Sequence, residues 1–242
     1  MSRYGGRFRA MPPRKGEPPK KSYHWGESLP DALIDEAMRR VEPLGHHSLS
    51  TREVARAVGV SHAAPKHYFS DKLALVAAVA AAGFERLHQE IVRAVERERD
   101  HPADRLVAAG MAYVGFALEN RGLYRTMFAP ELSDVVEPPA RSTSEGADHF
   151  ENLLRLKAKV FSLFVEIVRE GQARKEFRPG RPDDLARGVT AIANGLSHEF
   201  IDEGLGSRID RAAHARQVFG VLLTGLEVQP DKRRTTGKPA HY

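Results

Sequence analysis

An all-α fold is predicted for this chain of 242 residues, and three features predict it. No segment alternates apolar and polar residues with a sustained period of two. Several segments instead repeat apolar residues at three- and four-residue spacing, as a helix with one buried face requires. Helix-start signatures precede two of them: Ser28 with Asp31, and Ser50 with Glu53. A chain this long can bury a core without a disulfide or metal staple.

The elements follow in order. A first helix is expected from Leu29 to Val41, with Pro30 in its first turn and Leu33, Ile34, Ala37, Met38 and Val41 on one stripe. A loop from Leu44 to Leu49 ends it. Ser50 then caps a second, two-turn helix whose Val54, Ala55 and Val58 face inward, and Gly59 closes it. Asp71 opens a long helix to about Glu98, with Leu75, Val76, Val79, Phe84, Leu87, Ile91 and Val95 as its buried side. Further helices are expected at 103–120, 122–128, 146–174, 183–203 and 209–226, with loops at 130–145 and at Glu203–Arg208. The chain shows no internal repeat.

Composition narrows the function classes. There is no cysteine, which removes disulfides, thiol catalysis and thiolate metal sites. The N-terminus lacks the apolar core of a secretory signal. The longest apolar run, Leu73 to Phe84, falls short of the ~20 residues that span a bilayer. A soluble cytoplasmic protein without a membrane partner is the expectation. The net charge of +5 divides into tails of +6 (residues 1–25) and +3 (residues 229–242) and a body of −4. Rich in proline, glycine and charge, both tails are expected to be disordered. They serve either as solubilising extensions or as arms that reach a polyanion.

Between two good helices lies VSHAAPKHYFSDK, residues 60 to 72, which carries few large aliphatic residues for a buried face. Two short helices joined through Gly59, Val60 and Ser61 have the length and turn composition of a helix-turn-helix, whose second helix enters the major groove of DNA. That placement explains the composition. Ser61 is the expected N-cap, Pro65 fits the first turn, and His62, Ala63 and Ala64 are small or polar enough to approach base edges. Thr51, His67, Tyr68 and Lys72 suit phosphates, and Arg52 and Lys66 could reach guanine. Phe69 is the expected buried anchor.

The ordered run YHWGESLPDALIDEAM, LSTREVARAVGVSHAAPKHYFSDKLAL, from Tyr23 through Ala80, resembles the N-terminal DNA-binding domain of tetracycline-repressor (TetR/AcrR) family regulators. The resemblance implies phosphate contacts by Thr51, Tyr68 and Lys72, and base contacts by Arg52, His62, Ala63 and Ala64. Lys66 stands where the family usually has tyrosine, so a different operator preference is implied. In such regulators the C-terminal helices form a dimer around a small-molecule pocket. RGLYRTMFAPEL, residues 121 to 132, resembles the start of one C-terminal subtype, and AIANGLSHEF its Trp-x-x-His-Gly-Leu element, with Ala191 and Asn194 in place of tryptophan and histidine.

Candidate effector-binding residues are Tyr113, Phe116, Tyr124, Met127, Phe128, Phe161, Phe164, Asn194 and His198. Aromatics at helical spacing also read as plain core. Asn194 and His198, one turn apart, would orient a ligand or belong to a dimer interface. Enzyme readings fail on their residues. His198-Glu199 is half of a His-Glu-x-x-His zinc motif without its second histidine, His46-His47 reads as an exposed pair without a metal-spaced partner, and phosphate-loop and nucleophile-elbow motifs are absent.

The expected organisation is a basic arm (1–25), a three-helix helix-turn-helix DNA-binding domain (26–80), an effector-binding and dimerisation domain (81–228) and a basic tail (229–242). The expected function is a sequence-specific transcriptional regulator: a homodimeric, ligand-responsive repressor on a palindromic double-stranded DNA operator, with no cofactor, no metal and no catalysis. The competing class is a helical DNA-binding or interaction protein without operator specificity or small-molecule effector.

Overall fold

The computed structural model describes residues 28–42, 45–98, 101–133, 144–202 and 210–228. Both basic tails, most of the loop at 130–145 and the Glu203–Arg208 loop lie outside these residues. Helix α1 spans Leu29–Val41, α2 Thr51–Val58, α3 Lys72–Arg97, α4 Pro102–Glu119, α5 Arg121–Met127, α6 Pro130–Ser133, α7 Ser144–Ala173, α8 Pro182–Ile201 and α9 Arg211–Leu226. Two 3₁₀ turns, His46–Ser48 and Ala64–His67, flank α2. None of these helices is long and apolar enough to cross a membrane.

The caps act where the sequence puts them. Ser28 Oγ accepts from the Asp31 amide, Ser50 Oγ from the Glu53 amide at 3.4 Å, and Asp71 Oδ1 from the Ala74 amide at 2.8 Å. Each satisfies a helix-start donor, an effect on the order of 1 kcal/mol. At the end of α2, Gly59 adopts φ 82° and donates to Arg56 O at 3.2 Å while Val60 donates to Ala55 O at 3.0 Å. This paired closure needs a left-handed residue, which glycine takes without a Cβ clash.

Helix α3 is the spine. From Ala74 to Ala81 every residue is buried, so the alanines are as much core as the leucines and valines between them. Helices α1, α4, α5 and α7 all pack on it. Small side chains let neighbouring helix axes approach closely, which explains an alanine-rich run that looked weakly apolar in sequence. Helix α9 docks by placing the Phe219 ring over Gly110 of α4, where a Cβ would collide with it. At the end of α9, Arg178 N donates to Leu226 O at 2.7 Å and Val228 N to Glu176 O at 3.0 Å, fixing residues 226–228 to the α7–α8 loop.

Besides apolar packing and an Arg86–Asp35 ion pair, the contacts that join the first 80 residues to the rest include three at the turns. The Glu42 carboxylate accepts from the amides of Gly122 (3.4 Å) and Leu123 (2.9 Å), filling open donors at the start of α5. His46, expected to be exposed, is buried at 7 % exposure, with Nε2 lying 3.3 Å from Glu131 Oε2. The reason is that α1 and α5 pack on the His46–Ser48 turn, while α6, a short helix inside the expected loop, brings Glu131 beside it. Finally, His149 of α7 stacks on Phe69 at 5.0 Å between ring centroids and binds Tyr68 O at 2.9 Å through Nε2. Because a carbonyl only accepts, Nε2 carries the proton.

Gly122 makes the α1–α5 seam testable. A Cβ there would run into the backbone carbonyl of Val41, which cannot rotate aside, whereas one on Gly115 meets nothing within 4 Å. Gly122→Ala should therefore cost ~1–3 kcal/mol of stability. Gly115→Ala should be neutral or gain up to ~1 kcal/mol. Urea denaturation of both variants checks this; equal midpoints would contradict the seam.

Candidate DNA-reading surface and effector cavity

The segment expected to read DNA is shorter than a second helix. Pro65 has no N–H to offer Ser61 O four residues back; Ser61 O instead accepts from Ala64 N at 3.0 Å, and Ala63 O from Lys66 N at 3.1 Å. Residues Ala64–His67 thus form one 3₁₀ turn. Ser61 is not its N-cap: Ala63 holds that position, without a side-chain capping bond. Pro65, expected from sequence only to fit the first turn, is buried beside the expected anchor Phe69, and its carbonyl accepts from Tyr68 N at 3.0 Å and Phe69 N at 2.8 Å. Two apolar pegs hold the turn, which leaves Lys66 and His67 to solvent.

Arg52, Ser61, His62, Ala63, Lys66, His67 and Lys72 are exposed, while Thr51, Ala64 and Tyr68 are half-buried. The turn packs against α2, the helix that carries Thr51 and Arg52 in its first turn. Glu53 is neutralised by Arg40 at 3.2 Å and Arg56 at 3.9 Å, which leaves Arg52 and Lys66 without an acidic partner among the described residues. Lys72 Nζ donates to His47 O at 3.1 Å, tying the start of α3 to the first 3₁₀ turn. His46, His47 and Glu131 bring possible metal-ligand atoms within 4.8 Å of one another, so these three could hold a divalent ion. Among the described residues the buried His46 Nε2 has no hydrogen-bond partner, Glu131 Oε2 lying 3.3 Å away.

A second site opens between α3, α4, α7 and α8. A cavity of about 330 Å³ is lined by Phe84, Tyr113, Phe128, Lys157, Val160, Phe161, Arg187, Thr190, Ala191 and Asn194. Four of the nine expected effector residues, Tyr113, Phe128, Phe161 and Asn194, are among them. Phe116, Tyr124, Met127 and Phe164 are buried behind the wall, and exposed His198 meets the rings of Tyr124 and Phe128 edge-on at 5.4 and 6.1 Å. Ala191 and Asn194, the two departures from the Trp-x-x-His pattern, both face this space. Lys157 and Arg187 escaped the sequence reading because charged residues on a helix look solvated. A larger opening of about 540 Å³, lined by Glu42, Glu119, Arg121, Arg125 and Asp202 among others, is a polar cleft whose arginines and acids oppose each other.

The hydroxyls of Tyr113 and Tyr124 converge on Asn194 Oδ1, the first at 3.4 Å. Burial, as the first cause, pushes the Tyr124 phenol up to about 12 and Tyr113 well above its ordinary value. Both are therefore neutral donors at physiological pH. The sign follows: folding favours the protonated phenols, so their stability contribution is complete below about pH 10 and is lost as pH rises through about 12. Denaturation midpoints should fall across that window, and Tyr124→Phe should shrink the fall. An undiminished fall in the variant would contradict the buried-phenol reading.

Two family models match the chain: "Bacterial regulatory proteins, tetR family" over residues 33–79, and "Tetracyclin repressor-like, C-terminal domain" over residues 106–226. A transcriptional regulator of the helix-turn-helix type, BetI of Serratia proteamaculans, is 26 % identical over 165 residues, 68 % of this chain and 76 % of that protein. A solved structure from Rhodococcus sp. RHA1, of unknown function, superposes with a TM-score of 0.71 at 31 % identity, covering 86 % of this chain and 100 % of that one. The fold also matches the transcriptional regulator FadR of Bacillus subtilis, solved with stearoyl-CoA, at a TM-score of 0.60 and 15 % identity over 81 % of this chain and 98 % of that one. With both halves matched by the corresponding family models, the chain belongs to the TetR family of transcriptional regulators, DNA-binding proteins that are not enzymes.

Proposed function

We propose that this chain is a ligand-responsive repressor that binds a palindromic operator as a homodimer and releases it when a small molecule fills the α3–α4–α7–α8 cavity. One observation carries the reading: α7 lines the cavity with Lys157, Val160 and Phe161 and touches the DNA-reading turn through His149. A ligand that favours one position of α7 therefore favours one position of Phe69 and Tyr68. Only a difference in its affinity for the two positions does work. Helix α3, which begins at Lys72 and passes the cavity at Phe84, is a second lever.

Dimerisation is supported by the outer face of α8 and α9. Val221 is 70 % exposed, Val218 and Leu222 are half-exposed, and Gly188, Gly195 and Gly220 have open space at Cβ. An apolar face with small residues suits close packing against a second copy. Such a dimer would set the two reading turns about one DNA turn apart, ~34–36 Å. FadR's stearoyl-CoA shows that this fold admits an acyl ligand in that protein. For this chain it supports the existence of an effector.

The test is retention of genomic fragments by the purified chain under excess unrelated DNA, with mass measured by sedimentation. Expected are fragments sharing an inverted repeat and a mass twice 26.9 kDa. Loss of every fragment to competitor would favour the competing class, a non-specific binder. Residue roles divide further. Lys66→Ala should alter which operator variants are preferred, by ~1–3 kcal/mol at the affected base, whereas Lys72→Ala should weaken all variants alike and lower the salt slope by about one. The same uniform loss from both variants would contradict the division.

A further inference from the structure

We infer that the ligand of the α3–α4–α7–α8 cavity is an amphipathic anion, with an apolar body among Phe84, Phe128 and Phe161 and a negatively charged head held by Lys157, Arg187 and the Asn194 amide; this rests on the cavity being the effector site. The lining contains two cations and no carboxylate. Lys157 Nζ lies 5.9 Å from the Phe128 ring centroid, and Arg187 Cζ lies 5.5 Å from that of Phe161. Neither side-chain cation makes a hydrogen bond or ion pair among the described residues. The contrast lies one short step along the same helix, where Lys159 pairs with Glu85 at 3.4 Å.

The remaining polar groups point the same way. Asn194 Oδ1 is taken by the two tyrosine hydroxyls, which leaves its Nδ2 with protons to donate. Thr190 Oγ1 donates back to its own helix, to Ala186 O and Arg187 O at 3.1 Å each. The Thr190 hydroxyl thus offers only acceptor lone pairs, while Lys157, Arg187 and Asn194 Nδ2 offer donors, two of them charged. Charge-assisted bonds of that kind are roughly twice as strong as neutral ones, so a negatively charged acceptor gains most. Against a cationic ligand the same lysine and arginine would be repulsive, which supplies discrimination as well as affinity. A volume of about 330 Å³ suits a compact body, at the low end of the ~300–1,000 Å³ range of ligand sites.

The test is calorimetric titration of the full chain with matched sets on two apolar bodies: octanoate, octyl phosphate, octanamide and octylamine, and 4-phenylbutyrate with its amide and amine. The anions should bind at least about tenfold more tightly than the amide and amine of the same body. Carboxylate and phosphate arms identify the preferred head. Lys157→Met and Arg187→Met, both at exposed positions, should each cost about tenfold for the anions and leave the amides unchanged, with thermal melts confirming the fold. Equal binding of amides or amines, no binding by any anion, or indifference of both variants would overturn the inference. Failure of the underlying reading looks different: anions would bind with this charge dependence yet leave the DNA complex intact.

Discussion

His149 is the residue on which the two sites depend together. Its Nε2–H holds the Tyr68 carbonyl and its ring lies on Phe69, so the turn proposed to face DNA is fastened to α7 and not only to the helices beside it in sequence. Eight residues farther along, Lys157 stands at the cavity, ~12 Å away at the rise of an α-helix. A helix transmits displacement over that distance because its backbone bonds leave little room for bending without a specific break. In the proposed mechanism the ligand need not deform α7; it need only select one of its settings.

The surrounding packing decides which motions are open. Along α3 the alanines between Ala74 and Ala81 bring α1, α4, α5 and α7 against one spine, and close-packed interfaces resist gradual deformation. At the seam between the first 80 residues and the rest, polar contacts sit beside a continuous apolar core: the Glu42 carboxylate on the amides of α5, and His46 beside Glu131. Such contacts exchange partners more cheaply than a buried apolar interface does.

Much of the fold was legible because its signals are local. The bounds of α1 follow from Ser28, Pro30 and the stripe that ends at Val41, and the closure of α2 from a glycine that takes φ 82°. Phe69 read correctly as an anchor because it is the one large apolar residue in a polar stretch. Pro65 did not, since its burial depends on which helices surround it, and its missing N–H turned an expected helix into a 3₁₀ turn. His46 was misread for the same reason, Glu131 being remote in sequence. At the cavity, Asn194 and Ala191 were marked by resemblance to a family pattern. Lys157 and Arg187 were not, because only the crossing of α7 and α8 separates them from ordinary surface charges.

The fastening of the reading turn to α7 is most directly measured by hydrogen exchange on the free protein, comparing the native chain with His149→Ala. Removal of the imidazole should speed exchange of the amides from 61 to 71 by about tenfold, the loss of about one charge-neutral hydrogen bond and its stacking, while the middle of α3 and α8 exchange as before. Unchanged exchange across 61–71 would show that the turn is held by its own domain alone, and the link between cavity and DNA surface would have to run elsewhere.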